Sequence, residues 1–99
     1  MNVEYSKQFA NAAYKLTGKY KESLKRIISE VKRTDFITDV TGCTKLVSFR
    51  NSYRIRMGDY RLILLLKIVN ETVIFELLLS RGEIYNKENK KFLRRKEKE

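Results

Sequence analysis

Histidine is absent from the 99 residues, and cysteine occurs once, at Cys43. That excludes a zinc centre of the Cys/His kind, a Ser/His/Asp triad and a Cys/His pair. A lone cysteine closes no internal disulfide, so a reducing cytoplasm is the expected compartment. Proline is missing, no segment repeats, and none of the four glycines sits in a phosphate-cradling loop. The longest apolar run, Leu62 to Val69, is interrupted by Lys67 and is too short to span a bilayer. Met1-Asn2-Val3-Glu4-Tyr5 shows no basic region followed by an apolar run, so no targeting signal is expected. Acid is scarce: 12 acidic residues stand against 22 basic ones, a net charge of +10. That balance favours a polyanionic partner, nucleic acid or an acidic protein.

What is present reads as one small folded domain: 42% of residues are apolar, with six tyrosines and five phenylalanines. Its organising stretch is Ser52 to Leu66, which alternates apolar and basic residues, turns at Gly58-Asp59 and alternates again. Period-two patterning around a two-residue glycine turn predicts a β-hairpin. The implied register opposes Met57 to Tyr60, Ile55 to Leu62 and Tyr53 to Leu64 on the core face. It sets Arg56 across from Arg61 on the other face, with Arg54 one step away. Like charges directly opposite cost a few tenths to about 1 kcal/mol. Either this is a solvated face that happens to be basic, or it is a preformed anion site, for which guanidinium is suited.

A second hairpin is expected with Asn70-Glu71 as its loop, opposing Leu66 to Phe75, Leu64 to Leu77 and Leu62 to Leu79. Ile63, Leu65, Ile74, Glu76 and Leu78 then share the arginine face. Such a face is too apolar to stay wet, and the C-terminal segment through Phe92 and Leu93, a partner protein, or both should cover it. Asn2 to Tyr5 reads as a short edge strand. Ser6 is a candidate N-cap for a helix from Lys7 to about Leu16, buried through Phe9, Ala12, Ala13 and Leu16. After Gly18 a second helix, about Lys19 to Arg33, carries Tyr20, Leu24, Ile27, Ile28 and Val31 on one face. The short connection predicts an antiparallel helical hairpin. Lys45 to Phe49 reads as a strand. The last residues, Lys87 to Glu99, hold 7 basic and 3 acidic residues and read as a frayed basic tail or a short helix.

In the proposed register Arg81 leaves the last strand beside the arginines, and Tyr85 can fold back toward them. Tyr85 is then either a packing residue or a phenol whose pKa neighbouring cations lower. Two helices, then Tyr-Arg-Ile-Arg-x-Gly-Asp-Tyr-Arg-Leu, a second hairpin and Ser-Arg-Gly-Glu-Ile-Tyr together resemble the RelE/ParE superfamily of bacterial toxins. The likeness runs from the first strand to Tyr85, and Tyr53–Leu62 is its specific part.

The resemblance implies an α+β fold, with an N-terminal helical hairpin packed on one face of a small, mainly antiparallel twisted sheet. A single toxin domain over residues 1–86 would be followed by the basic segment 87–99. It also implies a cognate acidic antitoxin, forming a hetero-oligomer with the toxin. RelE-type members cut messenger RNA in the ribosomal decoding site, whereas ParE-type members poison DNA gyrase. For a RelE-type toxin the family roles fall on Arg54, Arg56, Arg61, Arg81 and Tyr85. The expected catalytic residues are Arg61, Arg81 and Tyr85, with Glu76 an alternative base. Lys45, Arg50, Arg54 and Arg56 are expected to hold RNA phosphates. Ile63, Leu65, Ile74 and Leu78 are expected to meet the antitoxin. Neither metal nor cofactor is expected, nor any membrane partner. Related sequences often place a histidine and a second basic residue where this chain has Ser80-Arg81-Gly82. Without histidine, activity should climb toward alkaline pH. A gyrase-poisoning toxin and a non-catalytic nucleic-acid-binding relative are the alternatives.

Overall fold

Around Gly58 the chain folds back in the register its alternation predicts. The computed structural model describes residues 1–80, 83 and 87–98. Strand β3 (Ser52–Met57) pairs with β4 (Tyr60–Lys67), opposing Met57 to Tyr60, Ile55 to Leu62, Tyr53 to Leu64 and Arg56 to Arg61. Gly58 takes φ 59°, a conformation that suits the first central position of a two-residue hairpin turn. A Cβ there would lie 3.0 Å from a ring carbon of Tyr20, so the turn and that ring both favour glycine.

Five strands make one sheet. With β1 (Asn2–Tyr5), β2 (Cys43–Lys45) and β5 (Thr72–Ser80), the order is β1-β5-β4-β3-β2. β1 runs parallel to β5, and every other neighbouring pair is antiparallel. The strand expected over Lys45 to Phe49 lies upstream instead: β2 ends at Lys45, and the chain turns through 47–48, where Ser48 adopts φ 70°.

The second hairpin differs from its expected register. Its turn is the four residues Ile68–Glu71, with Glu71 at φ 48°, and the last ladder pair before it is Lys67–Thr72. Leu66 therefore opposes Val73 and Leu64 opposes Phe75. Beyond that point a bulge shifts the ladder, so Ile63 meets Leu77, Leu62 meets Leu78, Arg61 meets Leu79 and Tyr60 meets Ser80. Glu76 is the extra residue. The bulge serves the start of the chain: the Ser6 hydroxyl donates to the Glu76 carbonyl at 2.6 Å, and the Ser6 N–H donates to that of Phe75 at 3.0 Å. An extra residue also inverts the alternation beyond it. Leu78 consequently joins the helix-side core, while Leu77 and Leu79 turn to the opposite face.

Helices α1 (Lys7–Tyr14) and α2 (Gly18–Arg33) bury Phe9, Leu24 and Val31 against Ile55, Leu62, Leu64, Val73 and Phe75. Ser6 caps α1, its hydroxyl accepting the Phe9 N–H at 2.9 Å. The other face has its own cover. Residues 87–98 form helix α3 rather than a frayed end, and Leu93 seals a cluster with Phe49, Ile63, Leu77 and Leu79. Burying one such leucine contributes about 1.5–3 kcal/mol. The sheet is thus covered by helices on both sides.

A candidate nucleic-acid interface

Arg56 and Arg61 stand directly opposite one another on β3 and β4, and Arg54 faces Ile63. Alternation places all three on the face that α3 covers. Arg61 is half-buried, with its Nη1 donating to the Gly58 carbonyl at 2.7 Å and the Tyr60 carbonyl at 2.9 Å. The hairpin turn so fixes one arm of the guanidinium, and the fork's remaining N–H groups keep their capacity to donate.

Further along the same face, the segment after β2 and helix α3 enclose a groove of about 330 Å³. Lys45, Val47, Phe49 and Arg54 line one side, and Lys90 and Arg94 line the other. None of its lining residues is acidic. The Lys45 ammonium donates to the Phe49 carbonyl, which fixes its position. The Arg94 guanidinium lies over the Phe49 ring, 4.7 Å from its centroid. Glu97 anchors α3 at the far end, accepting the Arg50 N–H at 2.7 Å, the Asn51 N–H at 3.0 Å and the Ser52 hydroxyl at 2.5 Å. Burial pushes the Glu97 carboxyl up. The hydrogen bonds from Ser52, Asn51 and Arg50, with the Lys45 charge, outweigh it and hold the group below its usual value.

The expected residues fall into separate places. Lys45 and Arg54 meet in the groove, and Arg56 and Arg61 meet at the hairpin. Arg56 also borders a second hollow with Arg26 and Glu30 of α2. Arg50 is exposed beside the Glu97 anchor. Arg81 and Tyr85 lie outside the described residues. Next to them the Ser80 N–H and hydroxyl donate to the Glu83 carboxylate at 3.1 and 2.6 Å, and those bonds lower its pKa. Ser80 faces Tyr60 rather than Arg61, because the bulge moves the ladder by one residue.

Three further expectations are corrected by burial. Glu76, the alternative base, is 2% exposed, so a bound substrate has no access to it. Ile63 and Leu65 are buried on the α3 face instead of being open to a partner, and Leu78 faces the first core. Ile74 and Leu78 are both half-buried, and of the two only Ile74 lies outside the helix-side core. Lys90 and Arg94 were missed; their i, i+4 spacing beside Leu93 was the available signal. Among the described residues, no helix is long and apolar enough to cross a membrane.

The fold and its cation-lined face define a class, a small basic α+β domain with one sheet covered by helices on both sides. No family model matches the chain. Toxin RelE3 of Methanocaldococcus jannaschii is 30% identical over 87 residues, covering 87% of this chain and 97% of that protein. The RelB–RelE antitoxin–toxin complex from Methanococcus jannaschii contains a chain with TM-score 0.71 and 27% identity, covering 85% of this chain and 96% of its own. The isolated E. coli RelE toxin shares the fold, at TM-score 0.64 and 18% identity, covering 93% of this chain and 98% of that one. The chain belongs to the RelE family of toxins.

Proposed function

We propose that this toxin is a metal-independent endoribonuclease that cuts mRNA in the ribosomal decoding site and so stops translation. The observation that carries the reading is the Arg56–Arg61 cross-strand pair with Arg54 on the same face. A sheet surface tolerates such repulsion most readily where an anion relieves it. In this reading Arg54, Arg56 and Arg61 hold the scissile phosphate, while Lys45 and Arg50 bind its neighbours. Tyr85 takes the proton from the 2′-hydroxyl as that oxygen attacks phosphorus. The bond to the 5′ oxygen breaks, and that oxygen gains a proton from water beside Arg81. The products are a 2′,3′-cyclic phosphate and a 5′-hydroxyl end. Arg81 and Tyr85 take these roles from the family pattern.

The same reading gives the toxin a cognate antitoxin, acidic and cytoplasmic; the solved relatives include toxins in complex with an antitoxin. Contact with the antitoxin is proposed along Ile74. The test is primer extension on a reporter mRNA in a translating extract. Cuts within codons should fall about 10²–10³-fold in Arg61→Ala and vanish in Tyr85→Phe, and the wild-type rate should climb with pH. Intact mRNA would refute the nuclease and direct attention to gyrase supercoiling.

A further inference from the structure

We propose that the groove between the β2–β3 segment and α3 is a nucleotide subsite, in which Arg94 stacks a base of the RNA beside the scissile step. The inference rests on RNA being the substrate proposed above, and it gives α3 a part in holding it. Three independent features converge there. The lining is cationic without an acidic residue, with Lys45, Arg54, Lys90 and Arg94 around a volume of about 330 Å³. That volume falls at the lower end of the range of small-molecule sites. The Phe49 ring is buried, at 8% exposure, while Arg94, stacked over it, is exposed. The guanidinium carbon is thereby set over an aromatic ring by a residue that is itself exposed. Unstacked RNA bases are commonly bound on guanidinium planes. The loop forming the far wall is specially shaped: Ser48 takes φ 70°, and Val47 next to it is 88% exposed. Left-handed backbone in a residue other than glycine gathers at ligand-binding loops. Val47 supplies an apolar edge for a base, and the lysines supply charge for the flanking phosphates. A phosphate alone would use the charge but leave the stacked plane and the apolar edge without a purpose.

The discriminating substitution is Arg94→Lys, which keeps the charge and removes the plane. The probes are a short 2′-O-methyl oligoadenylate and a 2′-O-methyl abasic oligomer of equal length and charge, both of which lack the attacking hydroxyl. Fluorescence anisotropy with the full-length toxin should show wild type favouring the oligoadenylate by about fivefold to a hundredfold. Arg94→Lys should bring that preference close to one, with abasic binding unchanged. As a second variant, Lys90→Ala should reduce the slope of log affinity against log salt by about 0.7 on either probe. Arg33→Ala, on α2 against the other side of the sheet, should leave the slope alone. Equal binding of both probes by wild type, an undiminished preference in Arg94→Lys, or equal slope changes from Lys90→Ala and Arg33→Ala would each overturn the subsite. Neither probe can be cut. A wild type that leaves mRNA intact in the extract would therefore remove the nuclease reading without altering these outcomes.

Discussion

Replacing Glu97 by glutamine removes one charge with almost no change of shape, and the structure says what should follow. Oε1 accepts from the Arg50 N–H, and Oε2 accepts from the Asn51 N–H and the Ser52 hydroxyl. Ser52 is fully buried, whereas Arg50 is exposed. In Glu97→Gln the amide oxygen should therefore turn to Asn51 and Ser52, leaving the Arg50 N–H to water. Two hydrogen bonds persist but lose a charged acceptor, a difference of about 1 kcal/mol each. With a discount for the partial exposure of Glu97, the net loss is about 1–2 kcal/mol. For a domain of this size that lowers Tm by about 4–16 °C. The pH dependence gives the sharper test. The folded-state carboxyl titrates below its ordinary value of 4.5. Its contribution is thus present above that value and is lost as pH falls through the folded one. Thermal melts of both proteins from about pH 7 down to about pH 3 should show a gap that closes at the acid end. A gap that stays constant across the range, or none at neutral pH, would refute the anchor.

Two other outcomes are expected. Gly58→Ala places a Cβ 3.0 Å from the Tyr20 ring at φ 59°, so it should cost about 1–3 kcal/mol. Its denaturant midpoint should drop at constant m, and an unchanged midpoint would mean the turn can relax. Burial pushes the Cys43 thiol up to about 11 from 9.0, which cuts its thiolate fraction about a hundredfold near neutral pH. Iodoacetamide should therefore label the native protein about a hundredfold more slowly than the denatured one, and comparable rates would contradict that burial.

The two hairpins show what was legible in the sequence and what was not. Around Gly58-Asp59 a glycine turn and clean alternation agree, and that hairpin's register follows from them. Between β4 and β5 neither signal exists. Ile68–Glu71 contains no glycine, and Leu62–Leu66 and Leu77–Leu79 are apolar at nearly every position. That uniformity arises because both faces of the sheet are covered, so no polar side marks which residues point outward. A bulge leaves no trace in such a run. The error of one or two residues in register carried Leu78 to the wrong face and put Ser80 beside Arg61.

The C-terminal helix was obscured for a different reason. Seven of the 13 residues from Lys87 to Glu99 are basic, and charge at that density reads as a solvated end. Only Phe92 and Leu93 hinted that the segment covers the second face. Leu93 contributes the burial, and Glu97 supplies a carboxylate at the one place where three donors of the β2–β3 segment converge. A helix held chiefly by Leu93, Phe92 and Glu97 can carry cations at its other positions. Lys90 and Arg94 stand there across from Lys45 and Arg54. The contacts that hold α3 down therefore also build the groove. Residues that exclude solvent from Ile63 bring a second row of positive charge against the first, so loosening the Glu97 anchor should weaken RNA binding as well as stability.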